Sequence, residues 1–135
     1  MAKQSGLAWS TLTVGDAAAS SRDIRNDLTS VEISTPREEW EITGIDKSAK
    51  ERTLLLADFS LKLSGIYNPA SNMSHDVFRT VPSTTVARAT AITVGGKSLS
   101  GNLLYPNYPL KRDSSGKFTF DVEGMLADGA VPVWS

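Results

Sequence analysis

Residues 38–68 read EEWEITGIDKSAKERTLLLADFSLKLSGIYN, and this stretch decides the fold class. Over residues 57–63 apolar and polar side chains alternate, the apolar ones being Ala57, Phe59, Leu61 and Leu63. A period of two is typical of a β-strand with one buried and one solvated face, and it would scatter the same residues around a helix. We therefore expect a strand that continues to about Tyr67.

The segment just before this strand allows two interpretations. Ser48 followed by Glu51 has the form of a helix capping box, which would start about one or two helical turns through Leu55. We favour a helical turn or an irregular loop here, and an extended approach over residues 47–55 is the other interpretation. The consecutive residues Leu54, Leu55 and Leu56 cannot all lie on one face of a strand. We interpret this apolar surplus as a subunit contact.

The rest of the chain predicts about six to eight strands and one short helix. The expected strands cover residues 7–14, 28–35, 39–43, 84–94, a broken stretch over 99–112, and 117–123. Residues 17–22 and 44–50 are expected to be loops, and Gly95 with Gly96 a hairpin turn. Ser74 is expected to cap a helix over 75–81. Such a set predicts a mainly β fold of two packed antiparallel sheets, sandwich or barrel-like, with one short flanking α-helix.

Length and composition restrict the function classes. The chain has 135 residues, which suits a single domain over 1–135. Its 14 Lys and Arg residues nearly balance 15 Asp and Glu residues, so charge alone gives no argument for binding nucleic acid or a membrane. Cysteine is absent, which excludes disulfides and thiolate chemistry. The N-terminus lacks the apolar core of a secretory signal, and we expect a soluble chain made in the cytoplasm.

Candidate catalytic groups are few. His75 is the single histidine, so a metal site built from several imidazoles is impossible and any Ser-His-Asp triad must use it. Its neighbours Ser74 and Asp76 are explained by helix capping and by the helix dipole. Glu38, Glu39 and Glu41 form a carboxylate cluster, but a solvated strand face explains it better than a glycosidase pair does. We predict no enzyme activity, no cofactor and no metal site.

Aromatic residues are more informative about assembly than about ligands. Trp9, Trp40, Tyr67, Tyr105 and Tyr108 do not lie beside clustered basic residues, so packing or subunit contact is favoured over base stacking. An oligomer interface favours aromatic residues where charge is depleted, as in residues 105–110 and 131–134.

Several strings resemble a known family. They are VEIST at 31–35, EWEITG at 39–44, LLLADFSLKLSGIYN at 54–68, TVARATAITVGG at 85–96 and SSGKFTFDV at 114–122. In content and order they are similar to the major tail tube proteins of long-tailed bacteriophages, over residues 28–134. That resemblance implies a compact β fold with a flanking helix, assembled as hexameric rings that stack into a hollow tube for the viral genome.

The resemblance also implies where the subunits meet. Strands of adjacent subunits join into a continuous sheet around the lumen, which leaves no exposed sheet edge. Loop 44–50 and its flanking strands, together with both terminal segments, are expected to contact neighbours. The candidate contact residues, from the resemblance and from charge depletion, are Trp40, Ile42, Asp46, Lys47, Lys50, Leu54, Leu56, Tyr105, Tyr108 and Trp134.

The leading hypothesis is thus a self-assembling structural virion protein, made in the host cytoplasm and located in the phage tail. Its partners would be further copies of itself and other tail proteins, while DNA passes through the lumen without specific recognition and no membrane is involved. The alternative from another class is a small β-barrel module that binds a ligand or peptide. A hydrolase using Glu39 and Glu41, or His75, is the third hypothesis.

Overall fold

The computed structural model describes residues 9–16, 18 and 20–135. Residues 7 and 8 of the first predicted strand and residues 17 and 19 of the following loop lie outside them. The strands are β1 (Trp9–Gly15), β2 (Ser21–Asp23), β3 (Leu28–Ser34), β4 (Arg37–Glu41), β5 (Arg52–Ala57), β6 (Ser60–Ile66), β7 (Arg88–Val94), β8 (Lys97–Leu104), β9 (Leu110–Arg112) and β10 (Phe118–Leu126). In the described part of the chain, one α-helix, α1 (Ser74–Phe78), precedes β7, and a 3-10 helix (Arg25–Asp27) lies between β2 and β3.

Eight of the strands form one antiparallel sheet. The strand order is β2-β1-β7-β8-β10-β6-β3, and β9 pairs with the free part of the β10 edge. β4 and β5 form a separate two-stranded sheet. The prediction of a mainly β fold with antiparallel sheets and a short helix is confirmed.

The core lies on the inner face of the eight-stranded sheet, and α1 packs against it. In β6, Leu61 and Leu63 are fully buried while Lys62 between them is exposed, as the alternation predicts. Phe120 of β10 and Phe78 of α1 meet in the same core, with ring centroids 6.1 Å apart. Sequence periodicity therefore identified the buried side of the central strands correctly.

Of the interpretations of the segment before residue 57, the helical turn is wrong and the extended one is confirmed, since Arg52–Ala57 forms strand β5. Residues 52–57 pair with β4, with Trp40 opposite Thr53 and Glu41 opposite Arg52. Glu51 does not close a capping box, because its N–H donates to the Thr43 hydroxyl across the hairpin. The predicted continuous strand over 57–67 is also wrong. It is interrupted where the Asp58 N–H donates to the Pro36 carbonyl, and Phe59 turns into the core.

Helix α1 is shorter than predicted and has a different cap. Ser74 is its first residue, and the Ser74 hydroxyl is buried without a hydrogen-bond partner among the described residues. The Ser74 N–H donates instead to the carboxylate of buried Asp27, at 3.0 Å, and the Asn68 amide donates to the same carboxylate at 2.7 Å. A residue far away in sequence thus replaces the local cap, which fixes the start of α1 relative to β3.

Strand β7 begins at Arg88 rather than near residue 84, and its inner face is partly polar. Arg88, Thr90 and Ile92 all point inward and are buried. The Arg88 guanidinium donates to the carbonyls of Gly15 and Val77 and to the Thr80 hydroxyl, at 3.0 to 3.2 Å. Backbone carbonyls and a hydroxyl therefore satisfy the buried Arg88 guanidinium. The alternation of apolar residues in the sequence did not predict a cation at this position.

Candidate assembly surface

The β4–β5 hairpin is the most exposed part of the described chain. Every residue of β4 is exposed, and in β5 only Thr53 and Ala57 are partly covered. The hairpin exposes several large apolar side chains: Trp40 (59% exposed), Ile42, Ile45, Leu54, Leu55 and Leu56 (89% exposed). A monomeric soluble protein rarely exposes so many neighbouring apolar groups, so this hairpin has the character of an interaction surface.

Local hydrogen bonds hold the hairpin in shape. The Arg37 guanidinium donates to the carbonyls of Leu54 and Leu55, at 2.9 to 3.2 Å. At the tip end, the Ile42 N–H donates to the Glu51 carbonyl at 2.9 Å. Lys47 also pairs with Glu51, at 3.6 Å. An isolated two-stranded hairpin is marginal in water, so these contacts help to keep its apolar residues in a defined arrangement.

A groove separates the base of the hairpin from the C-terminal segment. It is open, has a volume of about 860 Å³, and is lined by Arg37, Glu38, residues 54–57 and Val131. Beyond it, Val133 and Trp134 are exposed as well. The last residue, Ser135, is bound to β8 by paired backbone hydrogen bonds with Ser98, at 2.9 and 3.1 Å. The groove therefore joins two apolar surfaces at one side of the molecule.

The candidate contact residues fall into two groups. Asp46, Lys47 and Lys50 are exposed in the loop of the hairpin, and the apolar candidates of the hairpin and Trp134 are exposed too. Tyr105 is different because it is only 6% exposed and its hydroxyl lies 2.9 Å from that of Thr90. Tyr108 is partly buried and packs on Phe78 and Phe120. These two tyrosines belong to the interior, where depleted charge reflects burial within the chain.

Burial also governs the chemistry of these tyrosines. Desolvation raises the pKa of Tyr105 to about 12, although the Thr90 hydrogen bond and Arg88 act against the shift. The pKa of Tyr108 rises to about 12 as well, first through burial and then through Tyr67 and Asp27. Both hydroxyls are therefore protonated at neutral pH and act as hydrogen-bonding groups.

Sequence reasoning missed some of the exposed apolar residues. Ile45 is fully exposed in the charged loop, whereas the exposed Val131 and Val133 lie in the range 131–134 that charge depletion had indicated. Ile66 and Phe118, near the β9–β10 turn, were missed as well, while the exposed Leu110 lies in the indicated range 105–110. The signal for Ile45 was present in the sequence as a large apolar residue between charged ones, whereas Phe118 was expected to point inward and is partly exposed at the end of its strand.

The structure shows what surrounds the candidate catalytic residues His75, Glu39 and Glu41. The His75 ring lies 3.2 Å from the Tyr108 hydroxyl and edge-on to Tyr67. The Asp76 carboxylate instead accepts from Arg79, at 3.2 Å. Glu39 and Glu41 are exposed on an isolated hairpin strand. Across residues 9–16, 18 and 20–135 no cluster of three His, Cys, Asp or Glu side chains is placed to hold a metal ion.

Comparison with known proteins identifies relatives by fold alone. No family model and no curated protein matches the sequence. A solved chain from the tail of an empty gene transfer agent particle, determined with helical refinement and C6 symmetry, has a TM-score of 0.79. It is 14% identical, and the match covers 98% of this chain and 99% of that one.

A chain from the virion of the native gene transfer agent particle gives a similar result. Its TM-score is 0.77 at 14% identity, and the match again covers 98% of this chain and 99% of that one. The resemblance to phage-type tail proteins that the sequence indicates is thus confirmed at the level of the fold. In the described residues no helix is long and apolar enough to cross a membrane.

Proposed function

We propose that this protein is a structural tail tube subunit, and that six copies form a ring that stacks on others into a hollow tube for DNA. The observation that carries this proposal is the projecting β4–β5 hairpin with its uncovered apolar residues, on a body whose whole fold is shared with a chain from a C6-symmetric tail. A single domain with this surface is suited to assembly, because burial of the hairpin requires another subunit.

The outer face of β3, β6 and β10 has the chemistry that suits the lumen of such a tube. Cross-strand pairing aligns Glu32, Lys62 and Glu123 in one row, and Ser64 with Asp121 in the next. The Ser64 hydroxyl donates to the Asp121 carboxylate. Carboxylates outnumber the amine, so this face does not bind phosphates strongly and lets DNA pass without specific recognition.

The interior offers little support for a ligand-binding module. A cavity between Phe59, Ile92 and Leu99 has a volume of only about 10 Å³. Small-molecule sites usually enclose about 300 to 1,000 Å³. A cleft of about 410 Å³ over Lys62, Ser64 and Pro106 falls in that range, and the groove beside the hairpin has about 860 Å³. Both are surface clefts, which fit contact with a protein surface better than enclosure of a small molecule.

The test is electron microscopy of the purified protein over a range of concentrations, alone and with other tail components. We expect rings with six subunits, tubes built from them, and location of the protein in assembled virion tails. Lys62→Gln, on the proposed lumen face, is a matched control that should still form tubes. A protein that stays monomeric at high concentration under both conditions would rule the proposal out.

A further inference from the structure

One side of strand β8 is left without a partner strand in the described chain over most of its length. β7 pairs with β8 from Lys97 to Leu103, whereas β10 reaches β8 only at Leu103 and Leu104. Residues 97–102 therefore have a free side, which we call the β8 edge. An unpaired strand edge is a template for pairing with another chain, so soluble proteins cover or interrupt such edges.

The C-terminal segment covers the β8 edge, and we call its residues 127–135 the C-terminal strap. At the base of the strap, the Ala127 N–H donates to the Asn102 carbonyl at 3.2 Å. At its far end, Ser135 and Ser98 exchange two backbone hydrogen bonds, at 2.9 and 3.1 Å. The strap thus lies where a neighbouring strand would otherwise pair with β8.

The middle of the strap is held loosely. Residues 128–134 form no backbone hydrogen bond with β8 in the described chain, and a cleft of about 370 Å³ lies between this part of the strap and strands β7 and β8. Val133 is 77% exposed and Trp134 is 47% exposed, so these side chains gain little cover from the strap's position. Release of the far end therefore breaks the two backbone bonds at Ser98 and uncovers little apolar surface.

The base of the strap is fixed by side-chain bonds. The Asp128 carboxylate accepts from the Ala130 N–H at 3.1 Å and from the Asn102 amide at 3.2 Å. These bonds lower the pKa of Asp128, the Ala130 N–H contributing most. Gly129 follows with a φ of 75°, which glycine adopts without strain. The far end can therefore swing away from β8 while the base remains in place.

We propose that the C-terminal strap is an autoinhibitory contact, which closes the β8 edge in the free subunit and leaves it before that edge pairs with a second copy. Alternate residues of a strand direct their backbone groups to the same side, so Ser98, Ser100 and Asn102 face the strap. In the described chain the strap bonds to the first and the last of these, whereas a strand of a second copy can bond to all three. The exchange therefore gains backbone hydrogen bonds. This inference rests on the proposed function for the assembled state and adds to it what restrains the free subunit.

A reversible lock tests the inference. Ser98→Cys with Ser135→Cys places two thiols on a hydrogen-bonded antiparallel pair, whose Cα atoms are about 5.5 Å apart and so within the reach of a disulfide. The chain has no cysteine of its own, so no other intramolecular disulfide competes. Under the conditions of the microscopy test, the oxidised double variant should remain a single subunit, and the same sample should form tubes after reduction. The reduced form is the matched control because its sequence is identical.

Sedimentation of the oxidised and reduced samples distinguishes the outcomes. Association of the reduced form alone supports the inference. An oxidised form that associates at the same concentration as the reduced form overturns it and leaves the proposed function standing. If neither the wild type nor the reduced form assembles, the proposed function is overturned, and the inference with it.

Opening the strap gives an independent readout. A Cβ on Gly101 would lie 2.7 Å from the Pro132 Cγ, which is too close, so Gly101→Ala should push the strap off the β8 edge. Gly101 does not have a positive φ, so its backbone accepts alanine. The variant should form tubes at a protein concentration about tenfold lower than the wild type does. Hydrogen exchange of the Ser98 N–H should also be faster, because its acceptor on Ser135 has moved away.

A second substitution serves as the matched control for Gly101→Ala. Pro132→Ala in the same chain removes the Cγ and leaves the Cβ of residue 132 at 3.5 Å, an ordinary contact distance. The double variant should therefore return towards wild-type exchange and wild-type assembly. Faster exchange at Ser98 in Gly101→Ala without easier assembly would overturn the inference. Unchanged exchange in Gly101→Ala would contradict the strap contact on which the inference depends.

Discussion

The β4–β5 hairpin and strand β6 are neighbours in sequence, and both consist of antiparallel strand segments. They differ in whether the rest of the protein covers their apolar side chains. In β6 every second side chain is buried under α1 and the opposing strands, as Leu61 and Leu63 are. In β5 the leucines have no such cover, and Leu56 is almost fully exposed. The comparison teaches that apolar residues with the same strand conformation are buried in one segment and left exposed to solvent in its neighbour.

The largest expected effect is a loss of stability when a core residue of the eight-stranded sheet is truncated. Leu61→Ala should lower the free energy of unfolding by about 2 to 5 kcal/mol, because it removes a fully buried side chain and leaves a cavity. Phe59→Ala, on the same inner face, should have an effect in the same range. Urea denaturation followed by circular dichroism measures both. A midpoint equal to that of the wild type would show that this face of β6 is not part of the core.

Alkaline pH should also act on the body, because Tyr105 is buried there while the hairpin contains no tyrosine. The pKa of Tyr105 is raised to about 12 by burial, above an unfolded value of about 10. Its contribution is therefore complete below pH 10 and is lost as the pH rises towards 12, by about 2 to 3 kcal/mol.

The free energy of unfolding, measured between about pH 8 and 12 in steps of about one pH unit, tests this expectation. Tyr105→Phe should reduce the loss of stability at alkaline pH, because it removes the ionising hydroxyl and keeps the ring. Tyr108→Phe, which removes the other hydroxyl whose pKa is raised, should reduce a further part of the loss. Identical slopes for the wild type and Tyr105→Phe would contradict the assigned role of Tyr105.

The smallest effect on stability is expected in the hairpin. Leu56→Ala is the same chemical change as Leu61→Ala, five positions earlier, but Leu56 is 89% exposed. Its free energy of unfolding should stay within about 0.5 kcal/mol of the wild-type value, while tube formation should weaken. Calorimetry and sedimentation of the same samples give both quantities. A strongly destabilised Leu56→Ala protein would mean that the hairpin packs against its own body.

The sequence predicted those features that depend on neighbouring residues. Alternation identified the buried faces of β6 and β10, and the paired glycines identified the β7–β8 turn, where Gly95 and Gly96 both have positive φ. It failed where a distant residue decides the outcome. The pattern of Ser48 and Glu51 predicted a helical turn, but pairing with β4 makes this segment a loop and a strand.

The same limit applies to the interior polar groups and to the candidate surface. Nothing near Ser74 in sequence indicates that Asp27, 47 positions away, caps α1. The apolar surplus at residues 54–56 did indicate that leucines are left exposed, because no single strand face accommodates three consecutive leucines. Their contact with another subunit stays a prediction. Depletion of charge around Tyr105 also indicated a contact surface, but Tyr105 is buried in the core. A core and an interface share this composition, so charge depletion does not distinguish them.

The buried Arg88 has a consequence for the order of folding. Its guanidinium bonds both to Val77, 11 positions away, and to Gly15, 73 positions away. During synthesis on the ribosome, β1 therefore has no β7 partner until most of the sequence has been made. The Arg88 guanidinium is satisfied only when Arg88 and Gly15 come together. Such long loop closure slows folding, so the body should form late and as a unit. Formation of the β4–β5 hairpin does not depend on this long-range contact.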